Sequence, residues 1–210
     1  MQDAACWSCG ATATGAAACP ACGAPQRLGG DADLFAVVGL PRRLVVDRDD
    51  LDRRWHEASR VVHPDRHQTG SARARELSVA ASSALNRAVR TLRDPIARGR
   101  YWLALHGNAL GDDNNRVPPS LAALVFETQE QLEALRDAPG DAALRRAVAD
   151  EREALRGRVR ALERELAERY AAWDAVDPAA PAVLDELKRR LSEIAYLRTL
   201  ERDVDAALER

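Results

Sequence analysis

The sequence predicts an all-α protein in which a helical hairpin precedes a three-helix bundle, with a small cysteine-containing segment in front of both. Apolar residues recur at helical steps of three and four along most of the chain from Asp47 to Leu208. Outside the cysteine segment, no stretch shows a convincing β-strand pattern. All four cysteines lie within the first 22 residues, in a segment so rich in alanine and glycine that hydrophobic burial alone cannot fold it.

The hairpin is predicted from two amphipathic patterns on either side of a polar loop. Asp47 is a good N-cap for the first helix, and Pro64 ends that helix because proline lacks the N–H donor and biases His63 away from helical dihedrals. The second helix is predicted over about 73–93, before Asp94. The two apolar faces comprise Leu51, Trp55, Ala58, Val62, Leu77, Ala81, Leu85, Ala88, Val89 and Leu92.

A short helix over 96–106 and a linker are predicted to follow the hairpin. Gly107 suits a left-handed C-cap, and the density of turn residues over 108–119 marks a domain boundary. Three further helical patterns, over about 120–137, 141–174 and 181–208, each carry an apolar stripe that needs a partner, which favours an antiparallel three-helix bundle. The predicted domains are therefore the cysteine segment at 1–30, the hairpin domain at 31–107, the linker at 108–119 and the bundle at 120–210.

The cysteines form two matching Cys-x-x-Cys-Gly motifs separated by nine residues. A Cys-x-x-Cys turn directs two thiolates at one ion, and two such turns complete a tetrahedral site. We therefore predict one structural zinc ion, although an iron centre uses similar ligands. Disulfides and a redox-active thiol pair are the alternative interpretations. The predicted metal ligands are Cys6, Cys9, Cys19 and Cys22.

The loop between the hairpin helices carries the sequence His63-Pro64-Asp65. Asp65 offers a carboxylate that an arginine of a partner can bind through two hydrogen bonds, Pro64 makes the turn rigid, and His63 presents a ring nitrogen. The preceding helix has a basic outer face, formed by Arg53, Arg54, His56 and Arg60. In this context the tripeptide resembles that of the J domain of DnaJ-like co-chaperones.

The J-domain resemblance implies a function in which no reaction is catalysed by the chain itself. In that family the basic helix docks on a DnaK-type ATPase chaperone, while the loop engages the ATPase domain and linker of that chaperone. One departure is Val62, where the family usually has an aromatic residue. The residues that the resemblance assigns to chaperone binding are His63, Pro64, Asp65, Arg54 and Arg60.

Further motifs narrow the resemblance to the J-domain co-chaperones of iron-sulfur cluster assembly, the HscB type. They lie at 33–41, 85–95, 127–132 and 194–200, and the resemblance covers roughly residues 33–208. The paired Cys-x-x-Cys motifs are similar to an extension found in eukaryotic members. In this family an apolar patch on the bundle holds the iron-sulfur scaffold protein and delivers it to the chaperone. The matching positions here are Ala122, Ala123, Phe126 and Tyr196.

Two features of this matched patch depart from the family or admit another interpretation. The family favours large Leu or Met side chains where this chain has Ala122 and Ala123, so less apolar area is available to an anchor. Phe126 and Tyr196 are also compatible with simple core positions of the bundle. A J-domain co-chaperone of a different client therefore stays open as an alternative.

Composition and charge restrict the remaining functions. Residues 31–107 carry a net charge of +4 and residues 108–210 one of −6, which favours separate surfaces for separate partners. Neither a secretory signal nor an apolar run long enough to cross a bilayer is present, so we expect a cytoplasmic protein without a membrane partner. A zinc-ribbon nucleic-acid adaptor is disfavoured because Arg27 is the only basic residue near the cysteines. A thiol-disulfide enzyme is the other alternative, and no nucleophile-base pair or phosphate loop supports a different enzyme class.

Overall fold

The computed structural model describes residues 5–12, 14–111 and 117–209. Within these residues the protein contains seven α-helices and two short 3-10 helices, and its β-structure is limited to two isolated bridges in the cysteine segment. The all-α prediction is therefore confirmed. The chain divides into two compact units, Met1–Arg98 and Gly99–Arg210. The predicted domain limits stay a prediction, and residues 112–116 of the predicted linker lie outside the described part.

The first unit holds the predicted hairpin. Helix α1, Leu34–Val38, begins after Asp33, whose side chain accepts a hydrogen bond from the Phe35 backbone N–H, and ends at Gly39 with φ +72°. Sequence patterns indicated only a short apolar stretch there, because one and a half turns are too few to show a helical period. The helices that follow are α2, Arg48–Val62; a 3-10 helix, Pro64–His67; α3, Ala72–Arg93; and α4, Pro95–Leu105, which extends past the end of this unit.

Packing between α1, α2 and α3 produces the core of the first unit. Asp47 caps α2 as predicted, since its Oδ1 accepts a hydrogen bond from the Asp50 N–H at 2.9 Å. Trp55 lies at the edge of the core rather than inside it, and its indole N–H donates to Asn86 Oδ1 at 3.0 Å. The fully buried side chains are Phe35, Leu44, Leu51, Val62, Ala81, Leu85, Ala88 and Leu92.

The second unit contains the three predicted bundle helices, α5 at Ala122–Asp137, α6 at Ala142–Asp174 and α7 at Pro181–Leu208. Asp141 caps α6 through the backbone N–H groups of Ala143 and Leu144. One apolar cluster joins all three helices, and its buried members are Leu121, Leu132, Leu135, Val148, Leu155, Val159, Leu197, Leu200 and Val204. The stripes predicted from the sequence thus face one another, as a bundle requires.

The part of α4 that belongs to the second unit includes a close approach at Gly99. A Cβ atom at this position would collide with the Tyr170 hydroxyl and would lie 3.2 Å from a Leu187 methyl. Tyr170 is only 1% exposed, so its hydroxyl has little room to move. Gly99 is therefore required for packing despite its cost to the helix.

None of the described helices is both long enough and apolar enough to span a membrane.

We predict that Gly99→Ala destabilises the protein by about 1–3 kcal/mol, because the added methyl group collides with Tyr170. The matched control is Gly157→Ala in α6, where a Cβ atom would meet no atom within 4 Å. That control should instead stabilise the helix by about 0.5–1 kcal/mol. Urea denaturation of both variants measures the free energy of unfolding, and equal effects in the two variants would contradict this account of Gly99.

Candidate functional sites

The two cysteine motifs fold into the same turn. In each motif the first cysteine donates its backbone N–H to the carbonyl five residues later, from Cys6 to Ala11 at 2.7 Å and from Cys19 to Ala24 at 2.9 Å. In each, the glycine four residues on donates back to that cysteine at 2.9 Å, and both glycines have positive φ angles of 73–74°. The repeated backbone explains why each motif presents its thiols in the same way.

All four thiol groups converge on one point. Their Sγ atoms lie within 4.8 Å of one another, with Cys6 to Cys22 and Cys9 to Cys19 both at 3.8 Å. Four sulfurs placed tetrahedrally at the usual zinc-sulfur distance of about 2.3 Å would be about 3.8 Å apart. The cysteines form no disulfide with one another. Their arrangement therefore fits a tetrahedral metal ion.

The hydrogen bonds around Cys6 favour the thiolate form that a metal requires. The backbone N–H groups of Cys9 and Ser8 and the Gln26 side chain lower the pKa of Cys6 to about 6. For Cys9, a hydrogen bond from the Ala11 backbone acts in the same direction, but the neighbouring thiols and burial raise its pKa to about 12. Four thiols in so small a volume cannot all lose their protons unless a cation compensates the charge.

Gln26 is a residue that the sequence analysis missed. Its side chain is buried, and its Nε2 donates to Cys6 Sγ at 3.3 Å and to the Ala24 carbonyl at 2.8 Å. A polar residue four positions beyond a Cys-x-x-Cys motif gives no distinctive signal by itself. Gln26 holds the Cys6 thiol in place, as outer hydrogen-bond partners do for metal ligands.

The predicted chaperone-binding loop is exposed and ordered by its own hydrogen bonds. His63 leaves the helical region with ψ 131°, and Pro64 then opens the 3-10 helix. The His63 Nδ1 accepts the Asp65 backbone N–H at 3.3 Å, so a neutral ring carries its proton on Nε2. The Asp65 side chain is 73% exposed, and Gln68 donates to its Oδ1 at 3.1 Å. A carboxylate is thus presented to solvent from a fixed turn.

Side chains just after the tripeptide tie the loop to both helices. The Arg66 guanidinium donates to the Arg60 carbonyl at 3.1 Å, and the His67 ring contacts the Val61 carbonyl at 3.0 Å. Arg75 in α3 donates to the Gly70 carbonyl at 2.7 Å. The sequence did not predict these roles for Arg66, His67 and Arg75, because a side chain that binds a backbone carbonyl leaves no recognisable sequence pattern.

The structure distinguishes the two arginines that were matched to chaperone binding. Arg54 is engaged within the protein, where it donates to the Gly39 carbonyl at 2.6 Å and to Asp50 at 2.8 Å. Arg60 is exposed and forms no ion pair in the described part of the chain. Of this pair, Arg60 has the guanidinium that is available to another molecule.

The four matched positions on the bundle differ in exposure. Phe126 is 65% exposed, which excludes the interpretation that it is a core residue, and Ala122 and Ala123 are exposed one turn earlier on α5. Tyr196 in α7 is half-buried and packs against the bundle core. It also lines a cavity of about 720 Å³ together with Gln129. The bundle therefore carries apolar surface that its own core does not use.

Comparisons with known proteins identify co-chaperone proteins among the relatives of this chain. No family model matches the chain. The co-chaperone protein HscB homolog of Azoarcus sp. (strain BH72) is 32% identical over 180 residues, which are 84% of this chain and 94% of the relative. The homolog of the same name from Chromobacterium violaceum is 33% identical over 135 residues, which are 64% of this chain and 74% of the relative.

Two of the solved structures that match this chain show the same fold. The crystal structure of human co-chaperone protein HscB has a TM-score of 0.70 at 22% identity, covering 97% of this chain and 98% of the human one. The chaperone HscB from Vibrio cholerae has a TM-score of 0.56 at 23% identity, covering 83% and 96%. Because the human structure covers nearly the whole of this chain, the fold that the two share extends into the cysteine segment.

We predict that Cys22→Ser lowers metal affinity by more than about 100-fold, because it removes one of the four predicted ligands. Gln26→Ala should lower metal affinity by about 10- to 100-fold, because it removes only a hydrogen-bond partner of a predicted ligand. The control is Ser8→Ala, since Ser8 contributes only its backbone N–H to Cys6. Competition with a chromophoric chelator measures the three affinities. Wild-type affinity in Cys22→Ser would mean that the cysteines do not form the site.

Proposed function

This chain belongs to the HscB family of co-chaperones, and from that membership we propose that it stimulates the ATPase of a DnaK-type chaperone and delivers an iron-sulfur cluster scaffold protein to that chaperone. The observation that carries this proposal is the exposed Asp65 carboxylate on a turn held between two packed helices. Because the relatives are named co-chaperones, the proposal is that the chain acts on the reaction of the chaperone rather than on a substrate of its own.

The loop provides what recognition of a chaperone arginine requires. An exposed carboxylate that pairs with a guanidinium makes two charge-assisted hydrogen bonds, and these need a fixed direction. Pro64 and the bonds from Arg66 and His67 fix that direction before the partner arrives. Little conformational entropy is then lost on binding, which favours a productive complex over a loose encounter.

The basic face of α2 supplies attraction toward an acidic chaperone surface. Arg60 lies three residues before His63 and its guanidinium is exposed, so it is available to contact the same partner as the loop. Arg54 plays a different part, because its bond to the Gly39 carbonyl holds α2 against the end of α1. We therefore propose Arg60 as a direct chaperone contact and Arg54 as a support for the helix.

The scaffold protein is proposed to bind the exposed apolar residues of the bundle. Phe126 would be the anchor, since a large aromatic side chain gains most from burial in a partner. Tyr196 would contribute a partly buried ring beside the cavity, and Ala122 and Ala123 would allow close approach. Because this chain has Ala122 and Ala123 where the family favours larger side chains, we expect a weaker or differently shaped contact with the scaffold protein.

We propose that the cysteine site holds one zinc ion with a structural role. Four thiolates leave no position open for a substrate, and the observed sulfur spacing suits tetrahedral zinc. The ion would crosslink the two turns and so supply the folding energy that this alanine-rich segment lacks. A thiol-disulfide enzyme is disfavoured, because in the described residues each thiol approaches three others rather than a single redox partner.

We predict that Asp65→Asn removes stimulation of the chaperone ATPase, with a loss of at least about 30-fold at limiting co-chaperone, because losing one partner of a bound charge pair costs about 2–5 kcal/mol. The substitution should leave the free energy of unfolding within about 0.5 kcal/mol of wild type, since the side chain is exposed. The control is Asp49→Asn, the same change at an exposed position in the first turn of α2. Steady-state phosphate release measures both variants, and unimpaired stimulation by Asp65→Asn would refute the mechanism.

We predict that Phe126→Ala weakens binding of the iron-sulfur scaffold protein by about 10- to 100-fold, as truncation of a central aromatic anchor does. Its matched control is Val176→Ala, which truncates another exposed apolar residue of the same unit, 76% exposed. Calorimetric titration of the full chain with the scaffold protein gives both affinities. If both variants bind like wild type, the client is held elsewhere and the alternative of another client gains support.

A further inference from the structure

The cysteine segment lies against helices α1, α2 and α3 of the first unit. The Ala17 backbone N–H donates to the Val37 carbonyl of α1 at 3.1 Å, and Ala17 is fully buried. A Cβ atom at Gly15 would lie 3.3 Å from the Ala36 side chain, which shows how closely the segment approaches α1. Two further contacts lie next to the His63-Pro64-Asp65 loop.

The first of these contacts lies just before the loop. A Cβ atom at Gly23, the glycine that follows the last cysteine, would lie 3.4 Å from Val61 Cγ1. Val61 is in the last turn of α2, and its carbonyl contacts the His67 ring of the loop at 3.0 Å. The Val61 side chain therefore lies beside the cysteine segment, while its backbone carbonyl contacts the loop.

The second contact lies just after the loop. The Arg73 guanidinium, in the first turn of α3, is stacked over the Trp7 ring at 5.2 Å from the ring centroid. Trp7 lies between two metal ligands, and its indole N–H donates to the Pro25 carbonyl at 2.8 Å, which fixes the ring. The cysteine segment thus lies beside the last turn of α2, before the loop, and contacts the first turn of α3, after the loop.

We propose that the four-cysteine segment positions the His63-Pro64-Asp65 loop, so that metal binding controls how rigidly the loop is presented to the chaperone. This inference rests on the proposed function, because it assumes that the loop is the surface that contacts the chaperone. Metal release would leave the cysteine segment with little to fold it, and Gly23 and Trp7 would then lose their fixed positions against Val61 and Arg73. The loop would keep its own hydrogen bonds to Arg60, Val61 and Arg75, so its motion would increase without unfolding the hairpin.

The chain offers a control contact between the same segment and another arginine of α3, at a distance from the loop. Arg87, also in α3, donates to the Gly30 carbonyl at 3.2 Å. It lies fourteen residues beyond Arg73, which is about 21 Å along a helix. A segment that only stabilised the hairpin would act through both arginines, whereas a positioning element acts through Arg73.

Hydrogen exchange of the full chain tests the proposal without any chaperone. The reporters are the backbone amides of Arg66 and Gly70, which donate to loop carbonyls at 3.0 Å, and the reference amides are those of 85–92 in the buried part of α3. Removal of metal by a chelator should raise exchange of the loop amides by at least about tenfold and that of the reference amides by less than about twofold.

The variants separate positioning from general stability. Arg73→Gln in the metal-loaded protein should raise loop exchange by about two- to fivefold, the effect of losing one exposed cation-π contact. Arg87→Gln should leave loop exchange unchanged. The proposal is overturned if chelation leaves exchange of the loop amides unchanged, or if it raises exchange of the reference amides by the same factor. It is also overturned if Arg73→Gln and Arg87→Gln have equal effects on loop exchange.

A chaperone assay then connects the positioning to function. The metal-free protein and the Arg73→Gln variant should both stimulate the ATPase less than the metal-loaded wild type does. Of these two, the one with the faster loop exchange should stimulate it less. If the metal-loaded wild type stimulates no DnaK-type chaperone, the proposed function fails while the exchange result still decides the positioning. If exchange changes as expected but stimulation does not, metal control of chaperone activity is refuted.

Discussion

The antiparallel packing of α2 and α3 is the constraint on which the hairpin unit depends. Leu51 and Val62 from α2 are buried with Ala81, Leu85 and Leu92 from α3, so the two helices share one core. Pro64 makes this possible because α2 must stop where its chain reverses, and proline supplies no N–H to continue it. A short loop between packed helices has few conformations, which is why the His63-Pro64-Asp65 turn can be both exposed and fixed.

The cysteine segment solves a different folding problem. It contains almost no large apolar side chain, and its buried members include Cys6, Ala17 and Cys19. The segment therefore needs a cross-link, which the four converging thiols are suited to provide through an ion. The hydrogen bond from Ala17 to Val37 of α1 also joins it to the hairpin. A segment whose four cysteines could hold a metal ion is thus joined to a helical unit that has its own core.

In the bundle unit, helix α5 contributes to the core on one face and exposes apolar side chains on another. On α5, Leu132 and Leu135 are buried against α6 and α7, while Phe126 points away from that core and is 65% exposed. Ala122 and Ala123, one turn earlier on the same helix, are exposed as well. Ion pairs such as Arg156 with Glu201 join the outer faces of α6 and α7, so packing and charge hold these helices while α5 presents the apolar surface.

The sequence by itself determined the helices and the pairing of the four cysteines in two matching turns, because N-caps, prolines, helical periodicity and Cys-x-x-Cys spacing act over a few residues. Asp47, Pro64 and the four cysteines all took the positions that these local rules predict. Only the tertiary structure decided which side chains are available to partners. Arg54 and Arg60 look alike in the sequence, but the carbonyl of Gly39 engages only the first. Exposure of Phe126, burial of Gln26 and the contact of Trp7 with Arg73 likewise depend on residues distant in the chain, whose approach no local pattern encodes.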